Sequence, residues 1–149
     1  VVFSEIKRLR AYAFLRKDHP LTREKNVSLQ QLIRYPFVTY DQEIDRSEYT
    51  EEIIYHQLSE KTIHVCDRCT KVAIVRFTDG FSIGTDLANS NADSFHKGMG
   101  EIVAVPVADL TEYMHVGYIT QKGSALAETS SKYLQYLQED VDVIGMKGI

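Results

Sequence analysis

Apolar positions along this chain alternate between the two-residue spacing of strands and the three- to four-residue spacing of amphipathic helices. Residues 8–16 carry Leu9, Tyr12, Phe14 and Leu15 around small alanines and have no helical cap, which favours a strand. His19-Pro20-Leu21-Thr22 ends it, because proline restricts the residue before it and cannot donate to a ladder. Ser28-Leu29-Gln30-Gln31 is a capping box: the serine accepts from a free helix N–H and Gln31 reaches back. The helix it predicts is short, residues 29–33, before Tyr35-Pro36 stops it. Phe37-Val38-Thr39-Tyr40 then reads as a strand that delivers Thr39, Tyr40 and Asp41 into a loop.

From Ser47 the spacing of Tyr49, Ile53, Ile54 and Leu58 predicts a helix, with Glu51 and Glu52 in its first turns, where the dipole favours anions. Residues 63–65 form a short strand, and Asp67 caps a helix containing Val72, Ala73, Val75 and Arg76. Asp79-Gly80 is a turn dipeptide before a strand at 81–85. Residues 89–100 read as a polar loop, and 102–107 and 113–120 as strands. A last helix at 124–138 carries an apolar stripe of Leu126, Tyr133, Leu134 and Leu137. Alternating strands and helices predict an α/β fold with a mainly parallel sheet. With 149 residues, one domain and two small lobes both fit.

Composition narrows the function. Hydrophobic residues make up 44% and charged residues 26%, the balance of a folded chain. No apolar run approaches the roughly 20 residues that cross a bilayer. No signal peptide is expected either, since Val1 to Leu9 is already charged, so a cytoplasmic protein is the expectation. The opening Val1-Val2-Phe3, without an initiator Met, reads as a chain cut from something longer. Seventeen basic and 21 acidic residues give a net charge of −4. The one basic-leaning stretch, Lys7, Arg8, Arg10, Arg16, Lys17 and Arg23, is diluted by Glu5 and Asp18, so DNA contact by this chain alone is not expected.

Cys66-Asp67-Arg68-Cys69 is a C-x-x-C at a helix start, the arrangement of redox dithiols. These are the only two cysteines, so a second half for a zinc site is lacking, and the pair reads more simply as small residues beside a cleft or core. Asp67, Arg68 and Thr70 lie where a strand ends and a helix begins. Such a junction offers backbone N–H groups, a positive dipole end and a guanidinium that can grip an anion. Ligands in open α/β folds gather at strand C-termini. Thr39 and Tyr40 leave a second strand end, and Ser82 and Thr85 a third. If these strands are neighbours, their hydroxyls line one pocket suited to a small carboxylate or phosphate. A catalytic role is not expected: Ser82 sits in no G-x-S-x-G elbow, and His19 and His96 read as turn or surface residues. His115 is a candidate for burial within its strand. Gly98-x-Gly100 is too short for a dinucleotide fingerprint, and no cofactor or metal is expected.

In their order and spacing these segments resemble the effector-binding domain of LysR-type transcriptional regulators. Phe14-Leu15-Arg16-Lys17-Asp18-His19-Pro20-Leu21 looks like that family's strand and "DHPL" turn, and Val27-Ser28-Leu29-Gln30-Gln31-Leu32 and Tyr35-Pro36-Phe37-Val38 its next helix and strand. Asp67-Arg68-Cys69-Thr70 is similar to the "DRAT" variant of a Gram-positive subgroup, with Cys69 in place of alanine. Asp79-Gly80-Phe81-Ser82-Ile83-Gly84 looks like the "GLGI" strand, and residues 101–107, 114–122 and 124–139 like the final strands and helix.

The resemblance implies a type II periplasmic-binding-protein-like fold with an inducer between two lobes. It places the second lobe at about 15–115 and a return to an incomplete first lobe at about 116–149. Thr39, Tyr40, Asp67, Arg68, Thr70, Ser82 and Thr85 would then supply the second lobe's half of an inducer site. It also implies a bacterial regulator that assembles as a homo-oligomer and reaches DNA only through a winged helix-turn-helix outside these residues. The competing readings are a solute-binding protein of a transporter and a small thiol redox protein using Cys66 and Cys69.

Overall fold

In strand Ala11–Arg16 buried and half-buried residues alternate, so Ala11, Ala13 and Leu15 line one face, with the small alanines leaving room for larger neighbours. This strand is β2 of a computed structural model that describes residues 1–41, 58–85, 102–111 and 113–146. The described elements are β1 (Val2–Leu9), β2 (Ala11–Arg16), a 3₁₀ turn (Pro20–Arg23), α1 (Leu29–Leu32), β3 (Phe37–Tyr40) and β4 (Thr62–Val65). After them come α2 (Arg68–Phe77), β5 (Ser82–Thr85), β6 (Ile102–Pro106), β7 (Met114–Thr120) and α3 (Glu128–Met146). The helix expected from residue 47 (with Tyr49, Glu51, Glu52, Ile53 and Ile54) and the loop at 89–100 with His96, Gly98 and Gly100 lie outside the described residues.

β2 is the middle of a three-stranded sheet, antiparallel to β5 on one side and to β6 on the other. β3 and β4 pair in parallel. A parallel bridge between Phe37 and Phe81, the residue before β5, joins the two sheets through Phe81 N–H to Pro36 O at 2.9 Å and Val38 N–H to Phe81 O at 2.8 Å. The lateral order is therefore β4-β3-β5-β2-β6. The expectation of a mainly parallel sheet is corrected: β2 pairs antiparallel on both sides, and β1 and β7 form a separate antiparallel ribbon. Alternation along a chain reveals the helical crossover, here β4-α2-β5, but the direction of β2 and β6 depends on where the chain enters and leaves the sheet.

Two apolar layers follow from the pleat. On one face Ala13, Leu15, Phe37, Phe81, Ile83 and Val105 meet, with the Phe37 and Phe81 rings 5.2 Å apart. On the other, Val38 and Val65 pack against Val75 of α2, with Ile63 and Tyr40 at the margin. The capping box of α1 is complete: Gln31 N–H donates to Ser28 Oγ at 3.2 Å and Ser28 N–H to Gln31 Oε1 at 2.8 Å. The Asp109 carboxylate accepts from Leu29 N–H at 2.9 Å and ties that helix start to the chain after β6.

The ribbon carries a bulge between Glu5 and Lys7. Beyond it, α3 starts four residues later than its apolar stripe predicts, with Glu128 in the first turn and paired to Lys132 at 2.8 Å. Leu126 precedes the helix, Leu134 and Leu137 are half-buried, and Tyr133 and Tyr136 are 65% and 67% exposed, so no described element covers that face. Among the described residues no helix is long and apolar enough to cross a membrane.

Candidate functional site

Because β3, β4 and the start of β5 run in parallel, the C-terminal ends of all three collect at one edge of the sheet. β2 starts at that edge, with Ala11 opposite Thr85, and β6 finishes there, with Pro106 opposite Tyr12. The edge therefore assembles Thr39 and Tyr40, the segment from Cys66 to Thr70, and Thr85.

Asp67 caps α2 from extended backbone (φ −143, ψ 158). Its Oδ1 accepts from Thr70 N–H at 2.9 Å and its Oδ2 from the Thr70 hydroxyl at 2.6 Å. These bonds, the hydroxyl's first, hold the Asp67 carboxyl below its ordinary range, so it is ionised at neutral pH. The helix's own carboxylate thus takes the Thr70 donors. The exposed Arg68 and the N-terminal dipole end lie at the same junction.

The pleat sorts the remaining candidates. Thr39 lies on the face of Phe37 and Thr85 on the face of Phe81 and Ile83, so both threonines share the side away from α2, and both are buried. Tyr40 lies on the opposite side, half-buried against the Val38–Val65–Val75 layer, with Lys71 Nζ 4.2 Å from its ring centroid. Ser82 does not join them. It opens β5 opposite Phe14, three residues from Thr85, roughly 10 Å away along the strand. Two cations at this edge escaped sequence reasoning: Lys71, one turn into α2, and the exposed Arg10, adjacent to the Ala11–Thr85 pair. The spacing of Lys71 four residues after the cap was a usable signal, whereas Arg10 is marked only by the strand register.

Cys66 and Cys69 are both free and exposed, Cys66 before the cap and Cys69 in the first turn. Among the described residues no group of three His, Cys, Asp or Glu side chains could hold a metal ion. For two histidines only part of the expectation holds. His115 is exposed and its Nδ1 bonds Glu5, which together with Arg8 holds the Glu5 carboxyl below its ordinary range. His19 lies in a turn but is not a surface residue: it is 1% exposed.

No protein-family model matches the chain, and no curated protein does. Solved structures do. The effector-binding domain of QuiR in complex with shikimate superposes with a TM-score of 0.60 at 12% identity, covering 93% of this chain and 64% of that one. The regulatory domain of CcmR from Synechocystis PCC6803, in complex with 2-PG, gives 0.67 at 12%, covering 93% and 65%. HinK, a LysR family transcriptional regulator from Pseudomonas aeruginosa, gives 0.61 at 17%, covering 93% and 48%. The chain spans less than two thirds of the length of each of these three. At such identities the likeness speaks for architecture alone: this chain has the α/β fold of LysR-type effector-binding domains.

Proposed function

We infer that this chain is the ligand-sensing part of a LysR-type transcription regulator, made of most of the second lobe (about 15–115) and a return into the first (about 116–149). The observation that carries the reading is the convergence of three parallel strand ends and the α2 start at one sheet edge, in a fold shared with effector-binding domains. Thr39, Tyr40, Asp67, Arg68, Thr70 and Thr85 form this lobe's half of an interlobe site, with Arg10 and Lys71 beside them. Ser82, at the far end of β5, supports the strand rather than the ligand. Among the described residues this edge carries Arg10, Arg68 and Lys71 beside the Asp41 and Asp67 carboxylates, and this balance, with the shikimate and 2-PG complexes of QuiR and CcmR, supports a small anionic inducer. An inducer that prefers one lobe arrangement shifts the population toward it and so changes how helix-turn-helix domains outside this chain sit on DNA. The exposed Tyr133 and Tyr136 of α3 support assembly with further copies.

The test is a thermal-shift panel of small carboxylates and phosphates, on this chain and on Arg68→Ala. A ligand at a hundredfold its Kd stabilises by about 2.7 kcal/mol, which raises Tm by several degrees. At least one such rise is expected, and its loss in Arg68→Ala. A rise that survives the substitution contradicts the assignment of Arg68, and a panel without any rise contradicts an anionic inducer.

A further inference from the structure

His19 is a buried titratable group that the proposed sensing role does not use. Its backbone N–H donates to Arg16 O at 3.0 Å, and its carbonyl accepts from Thr22 N–H at 3.0 Å and the Thr22 hydroxyl at 2.7 Å. Its ring caps the 3₁₀ turn Pro20–Arg23, since Nδ1 accepts from Leu21 N–H at 3.1 Å. An accepting Nδ1 carries no proton, so the neutral ring holds its proton on Nε2. Among the described residues Nε2 is buried and makes no hydrogen bond, and the ring meets Tyr35 edge-on, with centroids 4.4 Å apart. Tyr35 leads through Pro36 into β3, and the Asp79-Gly80 turn leads into β5.

The charged groups around the ring offset one another. Arg16 from the end of β2 and Asp79 from the turn before β5 form an ion pair at 2.8 Å. Burial, the largest influence, favours the neutral ring and holds the imidazole below its ordinary value; Asp79 close by favours the charged form and Arg16 opposes it. Asp18 and Lys17 precede the ring in the same turn, Arg23 ends that turn, and Arg34 adjoins Tyr35; all four are exposed.

We propose that His19 is a pH-sensitive latch, closing the Pro20–Arg23 turn against the starts of β3 and β5 when neutral and releasing it when protonated. The geometry supplies the mechanism. A proton on Nδ1 turns the acceptor into a donor that faces the Leu21 N–H, so the capping bond cannot persist. The same proton places a charge in a site that water does not reach. The closed form therefore resists protonation below the ordinary imidazole value of about 6.5, while the open form takes the proton at that value. Closure is complete above about pH 6.5 and weakens as pH falls from there through the lower value of the closed form. Glu5 and Asp67, both held below the ordinary carboxylate range, stay ionised throughout this window.

Amide hydrogen exchange at pH 7.5 and 5.5, corrected for intrinsic chemistry, tests the latch on the intact chain and on His19→Asn. Asparagine keeps an acceptor for Leu21 N–H and does not titrate. Leu21 protection should fall severalfold in the wild type, up to the roughly tenfold ceiling that an open-form value of about 6.5 sets at pH 5.5, and stay unchanged in His19→Asn. Core amides such as Ile83 and Val105 should remain protected at both pH values. An equal loss across the core, or a pH response that persists in His19→Asn, overturns the proposal. Imidazole NMR of the wild type gives an independent reading: an Nε2–H tautomer titrating below 6.5 supports the latch, and a ring titrating at or above that value refutes it.

Discussion

Phe81→Ala should take about 3–5 kcal/mol from the stability of the chain, a large share of what such a domain has. Phe81 is fully buried, its ring packs on Phe37, and its backbone joins the β3–β4 pair to the β5-β2-β6 sheet. Removing a buried phenylalanine costs about 3–5 kcal/mol in lost transfer energy and residual cavity. Domains of this class have roughly 5–15 kcal/mol in total. Because the side chain sits at the seam between the two sheets, neighbours cannot collapse into the gap without disturbing the Phe37–Phe81 bridge. Phe81→Leu keeps most of the volume and should cost less. Urea unfolding followed by circular dichroism measures both, and a loss under about 1 kcal/mol for the alanine variant, below the usual range for core truncations, would contradict this packing.

The second large effect is expected at Gly117. A methyl group there would stand 2.2 Å from the Ser4 carbonyl oxygen and 2.6 Å from Phe3 Cζ. Phe3 could rotate away, but the carbonyl is backbone and can yield only if β1 parts from β7. Gly117→Ala should therefore break the ribbon near its Glu5–Gly117 pairing, exposing the amides of 3–5 and 117–119 to exchange. Overpacking of this kind costs about 1–3 kcal/mol, and here the cost is local. The layer around Leu15 and Val105 should keep its protection. A ribbon that stays protected in Gly117→Ala would contradict the close approach of the two strands.

Much of the element order was legible because its signals are local. The capping box at Ser28, the cap at Asp67 and the Asp79-Gly80 turn each act within four residues, and all three stand where expected. Register and direction are not local. Nothing between residues 8 and 16 announces that the run divides at Arg10, with Leu9 pairing in the ribbon and Ala11 in the sheet. The same gap misplaced Ser82. Its sequence neighbours suit a strand end, but only the pairing with Phe14 fixes which end it is. His19 stands in a turn, as expected, but no local signal announces its burial, to which Tyr35, sixteen positions on, contributes by meeting its ring edge-on. The candidate site was legible in its hydroxyls and Arg68, which follow strand-end and helix-start patterns. Arg10, named only as part of a basic-leaning stretch, is placed at this edge by the strand register alone, whereas the spacing of Lys71 from the Asp67 cap was a signal left unused.

The proposed sensing role requires that a small ligand is read at the sheet edge. Amide chemical-shift mapping, with the chain titrated by the small carboxylates and phosphates of the panel, tests this most directly. The predicted result is a cluster of saturable shifts at Thr39, Tyr40, Asp41, residues 66–70, Thr85 and Arg10. Shifts confined to the opposite end of the strands, near Arg16, Asp79 and Ser82, or none anywhere, would contradict it.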